Sequence, residues 1–462
     1  MIFSSLLFLC IFLPVVLGLY YASTNMVYKN LVLVISSLIF YAWGEPVWIL
    51  ALLFSAGIDY IHGLIIDKYF GKWQAKAALI SSLVLNLGIL MTFKYLGFFN
   101  SNINFIFKTN LPVNVFSLPL GISFYTFQTL SYTIDMYRGE IKVQRSFLKF
   151  MTYVSMFPQL VAGPIVRYID IEKQIDNRTV TKEKFEQGII RFAQGLFKKV
   201  IFANSAGKVA AMLLDGKLSE LSALGAWLGI LMYTFQIYFD FSGYSDMAIG
   251  LGKFFGFDFL ENFNYPYMSK NVTEFWRRWH ISLSTFFRDY VYIPLGGNRH
   301  DQIRNIIVVW ALTGFWHGAS WNFILWGLYY GLLLIIEKKC FNGKLLKLPA
   351  PIGVLYSMLI VIFGWTLFYF TDMARLGEFL KAMFGGNGIL ADGTALSILW
   401  SNIFLIAALA IASTDVIKIG FEKLEKTKIS TVAVPAAVVI SMFICFTMLV
   451  GQTYNPFLYF RF

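Results

Sequence analysis

The chain has 462 residues, of which 58% are hydrophobic and 14% charged, with a formal net charge of +12 and a mean hydropathy of +0.64. A soluble globular domain carries roughly a quarter charged residues, so this composition excludes one and describes an integral membrane protein. The positive balance is not a nucleic-acid signature, because Lys and Arg gather in loops between apolar runs, as they do on the cytoplasmic side of membrane proteins.

The N-terminal stretch MIFSSLLFLCIFLPVVLGLYY has no basic residues before its apolar run, so it reads as a first membrane segment and not a cleaved signal. Cys10 within it and Cys445 near the other end lie in apolar runs and read as small core residues. Cys340 is far from both, and no metal-ligand spacing arises. His62, beside Asp59 and Asp67 in sequence, reads as structural. Residues 77–93, 351–371, 395–414 and 433–451 carry no charge and approach the roughly 20 residues needed to span hydrocarbon. Lipid offers the backbone no hydrogen bonds, so the fold class is all-α: a polytopic helix bundle of roughly 11 to 13 membrane segments, some re-entrant or interfacial. Placing the basic loops 67–76, 337–347 and 415–428 in the cytoplasm leaves Met1 and the C-terminal tail outside. The whole of 1–462 reads as one membrane-embedded domain: spanning helices in 1–97, a catalytic core in 112–336, spanning helices again in 351–462. In the core, Arg, Asp, His, Gly and Pro interrupt the apolar runs, and such residues at membrane depth need protein or water around them.

Within that core, Asp240 and Asp246 sit in an apolar run and require partners, with Arg167, Arg277, Arg278 or the hydroxyls of Ser242 and Tyr244 as candidates. Residues 271–289 fit one amphipathic helix at the interface, capped by Asn271 and Glu274. Thr273, Arg277, His280, Ser284 and Arg288 share its polar face; Val272, Phe275, Trp276, Trp279, Leu283 and Phe287 share the other. Pro294, Gly296 and Gly297 end it in a turn, and the Gly pair with Arg299 lacks phosphate-loop spacing. His300, between Arg299 and Asp301, reads as solvated. His317 lies thirteen residues beyond Arg304, a helical climb of roughly 20 Å into the bilayer. Gly314 and Gly318 allow close backbone approach there, and Trp316, Trp321 and Trp326 are near enough to shape a pocket. An imidazole at that depth is suited to taking a proton near neutral pH. No nucleophile elbow, zinc spacing or dinucleotide fingerprint is present.

The stretches EFWRRWHISLSTFFRDYVYIPLGGNR and LTGFWHGASWNFILWG, with GISFYTFQTLSYTIDMYRG, FPQLVAGPIVRY, QIYFDFSGYSDMAIG and the tail NPFLYFRF, resemble the membrane-bound O-acyltransferase family, in its alginate O-acetylation branch. The resemblance implies a bundle with a central funnel or tunnel, His317 as catalytic histidine and His280 as a second one. An acyl group would pass from a cytoplasmic donor to an extracytoplasmic acceptor. Pro294 to Gly297, which the D-alanyl-transferring branch tends to lack, favours O-acetylation. The expected donor is acetyl-CoA, with no permanently bound cofactor and no metal. Arg277, Arg278 and Arg288 would attract its phosphates. Asp240, Asp246, Trp316 and Asn322 would give polar support, Asn322 also being a candidate oxyanion donor. The expected setting is the bacterial cytoplasmic membrane and its lipid, with an SGNH-type extracytoplasmic partner and a polysaccharide acceptor: alginate-like, cellulose or peptidoglycan. The alternatives are D-alanyl transfer to teichoic acid, a transporter or flippase of lipid-linked sugars, and a non-catalytic scaffold.

Overall fold

The computed structural model describes residues 1–113, 116, 118–160, 163–341, 348–451 and 458. Among these the regular structure is helical, with no strand. The chain divides into two compact units, Met1–Phe192 with Ser245–Glu261, and Ala193–Tyr244 with Asn262–Phe462. Ile49–Lys68, Trp73–Phe107, Ala350–Tyr369 and Ser430–Gly451 are long and apolar enough to cross a membrane, and Gly393–Ser401 with Ile403–Ala412 meet the same length only when taken together across a bend of 57°. The four uncharged runs of the sequence fall within these helices or within two residues of their ends. Phe8–Tyr21 and Met26–Ala42 are apolar but shorter. Cys445 is buried as expected, whereas Cys10 is exposed. In a membrane protein an apolar run marks surface that can face lipid as readily as core, so Cys10 needs no protein neighbour.

In the first unit, α1 (Ile49–Lys68), α2 (Trp73–Leu90) and α3 (Ile122–Arg138) are joined by a buried polar lock. Asp59 accepts hydrogen bonds from Ser82 Oγ at 2.6 Å and Asn86 Nδ2 at 2.8 Å, Ser55 donates to Asn86 Oδ1 at 2.5 Å, and Ser82 meets Thr133 of α3 at 3.1 Å. His62 Nε2 lies 3.1 Å from Ser81 Oγ, which fits its structural reading. Asp59, Ser55, Ser82, Asn86 and Thr133 thus each have a partner, the condition for tolerating buried polar groups. Asp246 also finds a partner, but not one anticipated from the sequence: Arg191 Nη2 lies 2.7 Å away and holds Glu261 at 2.5 Å as well. Arg167 is taken by Asp170 at 3.0 Å, in a local capping arrangement at the start of its own short helix.

The second unit contains α4 (Asn204–Leu214), most of α5 (Ala223–Phe254), α6 (Val272–Arg278), α7 (Ile281–Phe287), α8 (Gln302–His317), α9 (Trp321–Ile336), α10 (Ala350–Tyr369) and α11 (Met373–Met383). Asp240 on α5 pairs with Lys199 at 2.6 Å, both side chains almost fully buried, and its other oxygen accepts the Leu458 amide at 2.9 Å. That Lys199 is the partner, and none of the arginines expected, reflects a packing register between elements that local sequence does not encode.

Helices α8 and α9 form an antiparallel hairpin, with Trp310 against Gly331, Gly314 against Gly327 and Gly318 against the Phe323 ring. A Cβ on Gly314 would strike the Phe323 carbonyl, and one on Gly327 the Trp310 carbonyl. Glycine is therefore required at this crossing: the two backbones touch. Overpacking of this kind costs about 1–3 kcal/mol. Gly327→Ala is expected to lower the thermal unfolding midpoint in detergent, while Gly88→Ala, with no atom within 4 Å of the added carbon, leaves it unchanged or slightly higher. Equal midpoints for the two variants would contradict the close crossing.

Candidate active site

The expected helix over 271–289 is broken at its centre. Trp279 is extended, at φ −103° and ψ 129°, and His280 adopts the left-handed conformation, at φ 44° and ψ 54°. The cause is the segment Asn262–Asn264, which takes hydrogen bonds that a continuous helix would have kept. Asn264 N donates to the Arg278 carbonyl at 2.9 Å, and Ile281 N donates to the Asn262 carbonyl at 2.9 Å. Ser282 N and Oγ both donate to Asn262 Oδ1, at 3.0 and 2.9 Å. A non-glycine residue held at positive φ costs on the order of 1–3 kcal/mol and persists only where its surroundings over-determine it.

The start of α6 follows the sequence more closely. Asn271 Oδ1 accepts the Glu274 amide at 2.8 Å, although Glu274 itself reaches the Lys270 amide at 2.9 Å. A second cap was not foreseen. Glu337, just past α9, accepts Val272 N at 2.7 Å, Thr273 N at 3.0 Å and the Thr273 hydroxyl at 2.9 Å. A carboxylate at a helix N-terminus satisfies its free amides and complements its dipole.

His280 is consequently buried, 5% exposed, rather than on a polar helix face. Its Nδ1 has no hydrogen-bond partner among the described residues, and burial lowers its pKa to about 4. Its ring packs against Phe263 at 6.2 Å and edge-on to Trp316 at 6.1 Å. Trp316 in turn lies 5.0 Å from His317, so one indole separates the two imidazoles. His317 ends α8, half-buried, between Trp326 at 4.9 Å and Phe368 at 5.2 Å, both rings nearly perpendicular to it. Trp321, the third tryptophan expected nearby, is 53% exposed at the start of α9. Asn322 is fully buried and donates Nδ2 to the Leu367 and Phe368 carbonyls at 3.1 and 3.3 Å. It thus holds the end of α10, and with it Phe368, beside His317, and its amide hydrogens are engaged there.

A cavity of about 220 Å³ runs along α8 short of this group, and neither His280 nor His317 lines it. One wall is a stripe of α8: Ile306, Val309, Trp310 and Thr313. His317 follows on the same stripe, one turn beyond Thr313, or roughly 6 Å. The facing wall carries Thr273, Arg277, Ser284 and Arg288. Four of the five residues assigned to one polar face therefore do share a cavity despite the broken helix, and His280 alone does not line it. Arg278 is held by Glu274 at 2.7 Å and is not among the lining residues. Lys338, however, is; its sequence run served only as a topology signal, and its place opposite Arg277 emerges from the fold. Burial and then the nearby Arg277 charge lower the Lys338 pKa, the mark of two cations forced into one space. Three cations and no carboxylate line the cavity, though Arg288 also touches Asp289 at 2.7 Å. Such a chamber, apolar within and cationic at its rim, suits an anionic ligand with an uncharged arm.

The profile of the membrane-bound O-acyltransferase family matches residues 138–376, a span that holds both histidines and the cavity. The chain belongs to the membrane-bound O-acyltransferase family. It is 44% identical to a protein of Azotobacter vinelandii named a probable alginate O-acetylase, over 85% of this chain and 80% of that one. It is 36% identical to the peptidoglycan O-acetyltransferase of Helicobacter pylori, over 84% of this chain and 81% of the other. Likeness to the teichoic acid D-alanyltransferase of Bacillus subtilis is lower, 31% over 56% of this chain and 69% of the other. This membrane-bound O-acyltransferase is therefore an all-helical, multi-pass membrane enzyme that transfers an acyl group from a donor.

The depressed pKa of His280 fixes its protonation. Its neutral form is favoured in the fold, so it stays uncharged from pH 8 down toward 4, and any stability linked to it is lost only as pH falls from its ordinary value near 6.5 toward 4. A His280→Gln variant is expected to keep the wild-type shape of the pH–rate profile between roughly pH 5 and 8. Loss of a limb near 6.5 in that variant would contradict a permanently neutral His280.

Proposed function

We propose that this membrane-bound O-acyltransferase moves acetyl from cytoplasmic acetyl-CoA to hydroxyls of an extracellular or cell-wall polysaccharide. The observation that carries the reading is the cationic cavity whose α8 wall rises to His317. Arg277, Arg288 and Lys338 bind the phosphates of the donor, and the apolar stripe from Ile306 to Thr313 guides its thioester arm toward the imidazole. Arg278 supports the wall through Glu274. Acetyl transfer, rather than D-alanyl transfer, agrees with the broader likeness to the O-acetylating relatives, and an acyltransferase reading leaves no need for a flippase or a scaffold.

Neutral His317 takes the proton of an attacking hydroxyl. The oxygen adds to the thioester carbonyl, forming the new C–O bond. Collapse of the tetrahedral intermediate breaks the C–S bond, and the imidazolium returns the proton to the departing thiolate. The products are an ester and free coenzyme A thiol. His280, neutral and packed on Trp316, positions that indole against His317; Asn322 does the same for Phe368. Lys199 with Asp240, and Arg191 with Asp246, hold the fold. The whole chain acts as one domain in a bacterial cytoplasmic membrane, with the basic loops and Lys338 inside and the N-terminus outside. An SGNH-type extracytoplasmic partner completes delivery to an alginate-like, cellulose or peptidoglycan chain.

Loss of a positioned general base removes a factor of about 10²–10⁴. His317→Ala is expected to abolish polysaccharide acetate to that extent while protein accumulation in the membrane is unchanged. Wild-type acetylation in this variant would remove His317 from the mechanism. Arg277→Ala and Lys338→Ala each lose a charge-assisted contact and are expected to raise the KM for acetyl-CoA roughly tenfold with kcat nearly retained. A fall in kcat at unchanged KM would refute their assignment to the donor.

A further inference from the structure

The cationic cavity places two like charges on one wall. Arg277 stands on α6, and Lys338 follows the end of α9. Other arginines of this region are held by carboxylates: Arg278 by Glu274 and Arg288 by Asp289, each at 2.7 Å. Among the described residues, neither Arg277 nor Lys338 has a carboxylate within ion-pair distance. Two unpaired cations in one space repel each other, so an uncharged contact has to keep their two elements together.

Glu337 supplies it. The residue is buried, 6% exposed, and directly precedes Lys338 in the chain. Its Oε1 accepts the Val272 amide at 2.7 Å, and its Oε2 accepts the Thr273 amide at 3.0 Å and the Thr273 hydroxyl at 2.9 Å. Tyr356 of α10 adds a longer contact to Oε1 at 3.5 Å. Thr273 and Arg277 are four residues apart on α6, about one turn, and both line the cavity. The connection from one cation to the other therefore runs through a peptide bond, a carboxylate and a single helical turn.

The partners chosen by that carboxylate matter. Had Glu337 paired with either cation, it would have held it just as firmly, but it would then compete with an anionic ligand for the same charge. Directed instead at the free amides of α6, it complements the positive end of the helix and leaves both cations available. Asn271 provides a comparison within the molecule. It caps the same helix by accepting the Glu274 amide at 2.8 Å, a contact that stays inside the first turn and does not reach α9.

We propose that Glu337 is the positioning residue of the cationic cavity: it ties the start of α6 to the end of α9 and so sets the spacing of Arg277 and Lys338, the pair that receives the donor's phosphates. The inference rests on the donor reading of this cavity and deepens it.

The test measures, by calorimetry, the binding of a non-hydrolysable thioether analogue of acetyl-CoA to the full-length protein in detergent, with thermal unfolding midpoints recorded alongside. Glu337→Gln keeps the side chain's size but sets an NH2 group against a donor of α6, and is expected to raise the Kd about fivefold. Asn271→Ala removes the other cap and lowers the midpoint, yet is expected to leave the Kd within about twofold of wild type, since it does not touch α9. In an Arg277→Ala background, Glu337→Gln is expected to add less than about twofold, because the cation it positions is already gone. Glu337→Asp, one methylene short of the two amides, serves with the same expectations if Glu337→Gln does not accumulate. Equal Kd rises in the Glu337 and Asn271 variants would reduce Glu337 to an ordinary cap and overturn the inference. So would an unchanged Kd on Glu337 substitution, or fully multiplicative effects with Arg277→Ala. Wild-type affinity in Arg277→Ala, or no binding of the analogue by the wild-type protein, defeats the donor reading itself and this inference with it.

Discussion

The backbone contact between Gly314 and Gly327 governs the arrangement around His317. Helices in lipid gain little from burying apolar surface against one another, so close packing of small residues carries much of their association. With no Cβ at either position, α8 and α9 approach until carbonyls of one lie against glycines of the other. Larger side chains on either side of the crossing then interdigitate: Trp326 meets Trp276, Tyr330 and Trp365 at 5.5, 5.3 and 6.3 Å. His317 is thereby delivered to a wall of rings rather than to open lipid, and Gly364 of α10, where a Cβ would strike the Tyr330 hydroxyl, brings the third helix equally close.

Around that fixed point the electrostatics differ from end to end. Cations without carboxylates line one cavity, and two carboxylates with one guanidinium line another; His317 is among the lining residues of neither. His280 contributes differently. Its strained backbone and buried, neutral ring fit a residue held in place for its shape and its contact with Trp316, since a charged imidazole in that setting would be costly.

Much of this was legible in the sequence, for identifiable reasons. The spanning helices were, because uncharged runs of that length have few other uses in an apolar chain. The helix leading to His317 was, because α8 is one unbroken helix from Gln302 to His317. The fate of His280 was not. Periodicity over 271–289 describes a helix, and nothing local reveals that Asn262 and Asn264 cross beside it and claim its hydrogen bonds. The partners of Asp240 and Asp246 were hidden in the same way: the need for a cation follows from burial, but the choice of Lys199 and Arg191 follows from packing between distant elements. Lys338 and Glu337 were read only as charges that orient a loop, although one lines the cationic cavity and the other caps α6. Charge at a helix end serves topology and chemistry at once, and sequence alone does not separate the two.

The central claim is that the donor reaches His317 along the Ile306–Thr313 face of α8. A density map of the protein bound to a non-hydrolysable thioether analogue of acetyl-CoA tests it most directly. The account predicts phosphates among Arg277, Arg288 and Lys338 and the acyl end roughly 3–4 Å from the His317 imidazole, the separation of a near-attack geometry. An analogue bound elsewhere, or one whose acyl end stops short of that ring, would contradict it.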